Sequence, residues 1–256
     1  MDEKVSLFLK MVKESKNIVF FGGAGVSTES GIPDFRSTDG LYNQKYDYPP
    51  ETILSHTFFV RKPEEFYRFY RDKILIDGVE PNITHKKLAE LEQAGKLKAV
   101  ITQNIDGLHQ KAGSKEVYEV HGTVAKNYCT NCHKFFTGDE VKALIDKACE
   151  KNKEMGIAKF GVPCCDECGA IIKPDVVLYE EGLDDYTWSM AAKYVSEADM
   201  LIVGGTSLVV YPAAGLINYY HGKKLVLVNK SVTSYDSEAD LVLHMGLGEV
   251  FSQIEV

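Results

Sequence analysis

The fold class is decided by one stretch near the N-terminus, residues 17–27, which reads NIVFFGGAGVS. Its first part, 17–21, is a nearly continuous apolar run, which is typical of a strand covered by helices on both faces of a parallel sheet. The glycines that follow would let a phosphate approach the backbone at the turn into the next helix. Taken alone, the turn is equally explained as an ordinary tight turn, because Thr28 stands where a dinucleotide fingerprint has its third glycine.

Further apolar runs alternate with helical patterns along most of the chain. The runs predict strands at 17–21, 98–101, 116–120, 176–179, 200–203, 224–228 and 241–243. The helical patterns lie at 63–77, at 84–94 with Thr84 as N-cap, at 212–220 and at 248–256, after an amphipathic helix at the N-terminus. This alternation predicts an α/β fold with a doubly wound, Rossmann-like parallel sheet.

Two segments interrupt the alternation. Residues 124–171 carry all six cysteines and a charged stretch at 147–159, and we predict that they form a small inserted zinc-binding module. The remaining residues, 1–123 and 172–256, then form the Rossmann-like domain. Within that domain, the irregular segment 30–57 is rich in Gly, Pro, Asp, Tyr and Ser, and a loop of this length inside a compact domain is more often functional than decorative.

The cysteine spacing predicts a metal site. Two C-x-x-C pairs are present, Cys129 with Cys132 and Cys165 with Cys168. Four thiolates complete the tetrahedral set of a structural Zn²⁺ site, which leaves no open position for a water molecule. Cys164 competes with Cys165 for the second pair, and we prefer Cys165 because two intervening residues close the tighter turn. Cys149 and Cys164 are then free thiols. A set of disulfides is the alternative interpretation.

The composition excludes several classes of partner. The chain has 256 residues, with 29 Lys or Arg and 37 Asp or Glu, so its formal net charge is −8. Nucleic acids and anionic membranes attract basic surfaces, and we therefore expect neither as a partner. No apolar run approaches the ~20 residues that cross a bilayer, and residues 1–12 fit an amphipathic helix rather than a signal peptide. We expect a monomeric, cytoplasmic protein with reduced thiols.

Polar residues follow several of the predicted strands. They are Thr102-Gln103-Asn104-Ile105-Asp106, His121-Gly122, Gly204-Gly205-Thr206-Ser207 and Asn229. In parallel sheets, ligands bind at the carboxyl ends of the strands. Asn104 and Asp106 offer an amide and a carboxylate that suit a ribose or a carboxamide, and His121 could act as a general base near neutral pH. The alternative interpretation of these residues is as helix caps and a structural histidine.

A proline-stiffened loop lies a few residues beyond the first glycine turn. It reads Gly31-Ile32-Pro33-Asp34-Phe35-Arg36 and so presents a carboxylate, an aromatic ring and a guanidinium in succession. Next to a turn that can bind phosphate, this combination favours ligand binding over an ordinary surface loop.

Taken in this order, the motifs resemble those of the sirtuins, a family of NAD-dependent protein lysine deacylases. The resemblance covers nearly the whole chain, from about residue 15 to residue 250. It rests on GAGVS at 23–27, GIPDFR at 31–36, TQNID at 102–106, HG at 121–122, the two C-x-x-C pairs, KPDVV at 173–177, GTS at 205–207 and VN at 228–229. So many motifs in one order do not arise together by chance.

The resemblance implies an NAD-binding domain with 30–57 as its cofactor-binding loop, a structural zinc module, and a substrate cleft between them. The implied NAD-binding residues are Gly23, Ala24, Gly25, Ser27, Phe35, Arg36, Gln103, Asn104, Ile105, Asp106, Gly205, Thr206, Ser207 and Asn229. Catalytic roles are implied for His121, as general base, and for Asn104. The implied partner is an acyl-lysine peptide or protein, and Val177 and Tyr179 would contact its backbone.

The implied roles divide along the dinucleotide. The adenosine and phosphates would be held by Ala24, Ser27, Ser207 and Asn229, the ribose side by Arg36, Gln103 and Asn104, and the nicotinamide by Ile105 and Asp106, with Phe35 as a shield. In the family reaction, the acyl oxygen of acyl-lysine attacks NAD as nicotinamide leaves. The products are free lysine, nicotinamide and O-acyl-ADP-ribose, so NAD is a consumed co-substrate.

Three positions depart from the family pattern. Gly22 replaces a threonine, and Tyr179-Glu180-Glu181 replaces Phe-Gly-Glu, which predicts a preference for basic residues near the acyl-lysine. Members that remove succinyl or malonyl groups carry Tyr-x-x-Arg, whereas residues 67–70 here read YRFY. The guanidinium that would bind an acidic acyl group is therefore missing. We expect deacetylation, with weak desuccinylation at most.

Two other functions would use the same motifs. A mono-ADP-ribosyltransferase would share every NAD-binding residue and differ only in its product. An NAD-binding or zinc module without catalysis would also share them, but the combination of His121, Asn104 and Asp106 argues against it, because binding alone needs no base. A redox dehydrogenase fits least well, since it needs no zinc module of this kind.

Overall fold

The computed structural model describes residues 2–34 and 47–255, and its main element is a six-stranded parallel sheet. The strands are β1 (Ile18–Gly22), β2 (Leu97–Thr102), β3 (Val117–Glu119), β7 (Met200–Gly204), β8 (Leu225–Val228) and β9 (Leu241–Leu243). Their order is β3-β2-β1-β7-β8-β9, and every neighbouring pair is parallel. The winding reverses at β1, so the predicted α/β fold with a doubly wound sheet is confirmed.

Strand β1 is buried on both faces. Ile18 and Phe20 belong to one hydrophobic cluster, and Val19 and Phe21 belong to another on the opposite face. Since successive side chains of a strand point to opposite faces, an apolar residue is needed at every position. One face is covered by α1 (Glu3–Glu14), α5 (Ile83–Gln93) and α9 (Leu247–Phe251), and the other by α8 (Asp185–Glu197) and a 3₁₀ helix (Ala213–Tyr219).

A second, antiparallel sheet contains the cysteine-rich part of the chain. Its strands are β4 (Gly122–Cys129), β5 (Phe135–Thr137) and β6 (Ile172–Val176), in the order β5-β4-β6. The predicted module, 124–171, lies within this span and includes the helix α7 (Gly138–Glu154). The division of the chain into two domains stays a prediction.

A third hydrophobic cluster joins the second sheet to an earlier part of the chain. That part comprises α2 (Pro50–Ile53), α3 (His56–Arg61), α4 (Pro63–Phe69) and a π-helical turn (Tyr70–Ile74). Phe66, Tyr67 and Tyr70 pack in the same cluster as Ile145 of α7 and Ile172 of β6. Among the described residues, no helix combines the length and apolar character needed to cross a bilayer.

The predicted strand at 176–179 is wrong. The strand is β6, which pairs with β4 in the antiparallel sheet and shares only Val176 with the prediction. Ile172, Pro174 and Val176 are buried while Lys173 and Asp175 are more exposed, an alternation that is typical of a sheet with one covered face. Tyr179 lies outside β6 and forms an isolated bridge with Ser55.

Several predicted helices differ at their ends. Thr84 is not the N-cap of α5: Asn82 is, because its Oδ1 accepts the N–H groups of Thr84 (3.0 Å) and His85 (3.4 Å). The predicted helix at 63–77 is α4 followed by the π-helical turn. The helix at 212–220 is a 3₁₀ helix, and the closing helix ends at Phe251.

Two histidines are buried against each other beside the parallel sheet. His85 lies on α5 and His109 on α6 (Leu108–Ala112), and their ring centroids are 4.7 Å apart. Burial lowers the pKa of His85 to about 4, and burial lowers the pKa of His109 well below its usual value. Both ring nitrogens of His109 are buried and have no hydrogen-bond partner in the part of the chain that the structure describes. The folded protein therefore holds both rings neutral.

We predict that the protein loses stability as the pH falls below about 6.5, the usual pKa of an exposed histidine. The unfolded chain then binds protons that the folded pair does not, so the free energy of unfolding decreases between pH 6.5 and pH 4. For His85 alone, the loss at pH 5 is about 2 kcal/mol. Urea unfolding at pH 7.5 and at pH 5 measures this loss.

The variant His109→Leu tests the origin of this loss. It removes a buried ring with two unpaired nitrogens, so we expect it to be at least as stable as the wild type at pH 7.5. It should lose less stability than the wild type at pH 5. An equal loss in both proteins would contradict the assignment to the histidine pair.

Candidate active site

The glycine turns that follow β1 and β7 touch each other through their backbones. The N–H of Gly23 donates to the carbonyl oxygen of Gly204 (3.2 Å), and the N–H of Gly25 donates to that of Gly205 (2.8 Å). A Cβ added to Gly25 would lie 2.8 Å from the Cα of Gly205, and one added to Gly205 would lie 2.5 Å from the nitrogen of Val26. Packing alone therefore requires glycine at both contact points, in addition to any ligand that approaches there.

Ser27, Asn104 and Asp106 form one hydrogen-bonded network. The Ser27 hydroxyl donates to Oδ2 of Asp106 (2.6 Å) and accepts from Nδ2 of Asn104 (3.1 Å). Oδ1 of Asp106 accepts the N–H of Leu108 at the start of α6 (2.9 Å). Burial raises the pKa of Asp106, and the hydrogen bonds from Ser27 and Leu108 oppose this rise. Asp106 therefore joins a site network and binds the first N–H of α6 at once.

A second contact joins the loops after β2 and β7. Nε2 of Gln103 donates to Oγ1 of Thr206 (3.0 Å), and the backbone N–H of Gln103 donates to the carbonyl oxygen of Gly22 (3.0 Å). Ser207 is exposed beside this contact. At the next strand, Nδ2 of Asn229 donates to the carbonyl oxygen of Ser231 (2.9 Å). The predicted residues thus line one edge of the sheet.

His121 follows β3 at the same edge. Its Nδ1 lies 3.0 Å from the carbonyl oxygen of Gln103. A carbonyl oxygen only accepts, so Nδ1 carries the proton of the neutral ring, and Nε2 keeps its lone pair. Burial lowers the pKa of His121, against the hydrogen bond to Gln103, which raises it. The geometry therefore presents a neutral imidazole that can take up a proton at Nε2.

Gly122 fixes the direction in which the chain leaves His121. Its φ is +75°, and a Cβ there would overlap the carbonyl oxygen of Asp175. The N–H of Val177 donates to the carbonyl oxygen of His121 (2.9 Å), so the predicted substrate segment is tied directly to the histidine.

The four predicted metal ligands form a cluster. The Sγ atoms of Cys129, Cys132, Cys165 and Cys168 all lie within 4.8 Å of one another. The separations Cys129–Cys168 (3.3 Å) and Cys132–Cys165 (3.6 Å) exceed the ~2.05 Å of a disulfide. They are close to the ~3.8 Å between sulfurs around a tetrahedral Zn²⁺ with bonds of about 2.3 Å. The cluster therefore fits a structural zinc ion, and Cys164 lies outside it.

Sequence comparisons show the family to which this chain belongs. The sequence model of the Sir2 family matches residues 23–212. An NAD-dependent protein deacetylase of Clostridium acetobutylicum is 55% identical over 254 residues, which cover 98% of each chain. This chain belongs to the Sir2 family. A second NAD-dependent protein deacetylase, from Clostridium perfringens, is 56% identical over 257 residues, which cover 99% of each chain.

Solved structures of Sir2 proteins have the same fold. A complex of Sir2 with a p53 peptide and NAD⁺ is 40% identical to this chain, with a TM-score of 0.82, and the match covers 99% of this chain and 97% of that one. A Sir2 variant with a deacetylated p53 peptide and 3′-O-acetyl ADP ribose is 40% identical, with a TM-score of 0.85 and coverage of 97% and 96%. The predicted membership of the sirtuin family is confirmed.

Not every predicted site residue of this Sir2 protein can be located. Phe35 and Arg36 lie outside the described residues, as does the rest of 35–46 in the predicted cofactor-binding loop. Ala24 begins a short 3₁₀ helix after β1. Ile105 is half-buried, and its carbonyl oxygen accepts the N–H of Val124 (3.0 Å). The roles of these residues stay predictions.

The segment that departs from the Sir2 pattern is held against α3. Tyr179 donates its N–H to the carbonyl oxygen of Leu54 (3.0 Å) and accepts from the N–H of His56 (3.0 Å). Glu180 has a φ of +78°, which costs a non-glycine residue about 1–2 kcal/mol, and its Oε2 accepts the N–H of Thr57 (2.8 Å). A carboxylate at the N-terminus of a helix contributes about 0.3–1 kcal/mol, which offsets part of this cost. Glu180 is exposed, and its contacts with Thr57 lower its pKa, so it remains a negative charge at the surface. The preference for basic residues stays a prediction.

Sequence reasoning missed two acidic residues near the site. Glu181 accepts from the N–H of Leu178 (2.9 Å), Nζ of Lys173 (3.0 Å) and Nδ1 of His56 (2.8 Å), and these contacts fix the predicted substrate segment. Glu119 ends β3, and its buried Oε1 has no hydrogen-bond partner among the described residues, while burial raises its pKa to about 7. No local pattern marks Glu119, because its effect arises from burial.

We predict that Cys132→Ala abolishes zinc binding and unfolds the second sheet. A structural zinc ion contributes about 10–16 kcal/mol of binding free energy in small peptides, so the three remaining thiolates should not hold the module together. Elemental analysis measures the zinc content, and thermal unfolding measures the stability.

Cys164→Ala is the matched control, because Cys164 adjoins the cluster without belonging to it. We expect it to keep one zinc ion per chain and the melting temperature of the wild type. Equal zinc contents in the two variants would contradict the assignment of the ligands.

Proposed function

We propose that this protein is an NAD-dependent protein lysine deacetylase, which transfers the acetyl group of acetyl-lysine to ADP-ribose and releases nicotinamide. The observation that carries the proposal is the hydrogen bond from Nδ1 of His121 to the carbonyl oxygen of Gln103, which leaves Nε2 as a base at the ligand-binding edge of the sheet. Relatives that share more than half of their residues with this chain are NAD-dependent protein deacetylases.

We assign the co-substrate NAD to the edge formed by β1, β2, β7 and β8. When bound, NAD supplies the carbon that receives the acetyl oxygen, with nicotinamide as its leaving group. The glycine turns at 23–25 and 204–205 suit the phosphates, because a backbone without side chains admits a close approach. Asn229 and Ser207 would contact the adenosine side, and Phe35 and Arg36 would complete the site.

Asn104 and Asp106 would orient the reacting ribose and the nicotinamide. Ser27 holds both side chains, through its contacts with Nδ2 of Asn104 and Oδ2 of Asp106. With its amide nitrogen turned to Ser27, Asn104 can offer Oδ1 to a ribose hydroxyl. Such positioning is the main source of rate when a weak nucleophile, here the acetyl oxygen, must be aligned with a carbon.

His121 would act as the general base through Nε2, taking the proton of a ribose hydroxyl. General-base catalysis of this kind contributes about 10²–10⁴-fold to the rate. Because burial lowers the pKa of His121, the base stays unprotonated at pH values somewhat below 6.5. The contact of Val177 with the His121 carbonyl fixes the substrate segment relative to the base.

The peptide would bind in an extended conformation beside 177–179, with its own N–H groups donating to carbonyl oxygens of this segment. The N–H groups of Val177, Leu178 and Tyr179 are already bound within the chain. The acetyl group is favoured over succinyl, because Tyr67 and Tyr70 are fully buried and offer no cation. The Tyr67 hydroxyl donates to the carbonyl oxygen of Ile172, and the ring of Tyr70 stacks on that of Phe66 with 5.6 Å between the ring centroids.

We also propose that the enzyme works as a cytoplasmic monomer. Thiolate ligation of zinc suits the reducing compartment that this location implies.

We predict that an acetyl-lysine peptide loses its acetyl group only when NAD is present, with nicotinamide and O-acetyl-ADP-ribose formed in equal amounts. Mass spectrometry of peptide and small molecules measures this. The matched succinyl peptide should have a kcat/KM at least about tenfold lower, because Tyr70 stands where the Tyr-x-x-Arg motif has the guanidinium that would pair with its carboxylate. A larger value for succinyl would overturn the acyl assignment, and ADP-ribose attached to protein would point to the transferase instead.

We predict that His121→Ala lowers kcat by about 10²–10⁴-fold and leaves the affinity for NAD within a few-fold. Removing the base should affect the proton transfer and not the binding of the dinucleotide. Steady-state kinetics and calorimetric titration of NAD measure the two effects. The exposed His221 provides the control, since His221→Ala should keep full activity. Unimpaired turnover in His121→Ala would remove this histidine from its role.

A further inference from the structure

Asn82 contacts the first glycine turn from a distant part of the sequence. Its Oδ1 caps α5 by accepting the N–H groups of Thr84 (3.0 Å) and His85 (3.4 Å). Its Nδ2 donates to the carbonyl oxygen of Val26 (2.7 Å) and to Oγ of Ser30 (3.0 Å). One half-buried side chain therefore joins the start of a helix to the loop after β1.

The partners of Asn82 allow only one orientation of its amide. Backbone N–H groups only donate and the Val26 carbonyl only accepts, so the amide oxygen must face α5 and its nitrogen must face Val26. Asparagine satisfies both sides at once. Serine and aspartate are equally good caps, but neither carries an N–H donor for the second side.

The two contacts with the loop lie on either side of Ser27. Val26 ends one short 3₁₀ helix, Ala24–Val26, and Ser30 ends the next, Thr28–Ser30. The Ser27 side chain points to Asp106 (2.6 Å) and is almost fully buried. Asn82 thus braces the chain one residue before and three residues after Ser27, which joins the glycine turn to the network after β2.

Asn82 is also connected to the loop after β2. The backbone N–H of Asn82 donates to Nδ1 of His85 (3.3 Å), and the His85 ring packs against His109 on α6. Asp106 binds the first N–H of that helix, at Leu108. The loops that carry Ser27 and Asp106 are therefore supported from one point.

We propose that Asn82 is a positioning residue for NAD: it holds residues 24–30 in the conformation that receives the dinucleotide. This inference rests on the proposed function, because it takes NAD to be the ligand of that turn. Asn82 itself does not need to contact NAD for this role. It acts through Val26 and Ser30, and its loss should affect NAD more than the peptide.

The test uses Asn82→Asp and Asn82→Ser, which keep the cap on α5 and remove the amide donor. We expect the KM for NAD to rise about tenfold in both, equivalent to about 1.4 kcal/mol. The KM for the acetyl peptide should stay within about two-fold, because segment 177–179 is held by other contacts. Hydrogen–deuterium exchange should speed up at the amides of 24–32 and stay unchanged in α5.

The control is Asp184→Ser. Asp184 caps α8 through the N–H of Thr187 (2.7 Å), so this variant exchanges one cap for another without touching the site. Its KM for NAD and its exchange at 24–32 should equal those of the wild type. A similar change in this variant would show that the effect comes from altered capping in general and would overturn the proposal.

The proposal is also overturned if both Asn82 variants keep the KM for NAD within two-fold of the wild type, or if exchange rises in α5 as much as in the loop. If the wild type itself deacetylates no peptide, the proposed function fails. Calorimetric titration of NAD against the wild type and the two Asn82 variants then still decides the role of Asn82, since a weaker affinity in the variants supports it and an equal affinity overturns it.

Discussion

The backbone contact between the turns after β1 and β7 is the constraint on which the other features depend. No side chain fits between Gly25 and Gly205, so these two strands can be neighbours only while both turns stay glycine. Their contact continues the sheet beyond its strands, because the N–H of Gly205 also reaches the carbonyl oxygen of Val228 (3.2 Å). The polar loops after β2, β3 and β8 then arrive at the same edge, at the point where the winding of the sheet reverses.

Most of the parallel sheet was predictable, because a strand buried on both faces has a simple signature. Strand β1 shows it clearly, with an apolar residue facing each layer of helices in turn. The alternating pattern of β6 was not recognised, since Lys173 and Asp175 interrupt the apolar residues. The cap of α5 was placed two residues late, because Thr84 and Asn82 are both good capping residues and only the backbone geometry distinguishes them.

The edge of the sheet at which the candidate site lies was predictable from the sequence, but the hydrogen bonds that join its residues were not. Polar residues after strands point to one side of a parallel sheet, and Gln103, His121 and Thr206 do meet there. Contacts that join distant segments leave no local pattern, which is why Asn82 and Glu181 were missed. Glu119 and the two buried histidines belong to the same class, because their effects arise from burial, and burial is decided by the whole fold.

Strand β4 begins directly after His121 and ends at Cys129, so one extended segment carries the candidate base at one end and the first thiolate at the other. Its pairing with β6 is interrupted between Thr123 and Asn127 and is regular again from Asn127 to Cys129. A single inserted or deleted residue in this last part would turn the later side chains to the opposite face. Homologous chains are therefore expected to vary in length between Cys132 and Cys165, where α7 lies, and to differ between Asn127 and Cys129 by substitution alone.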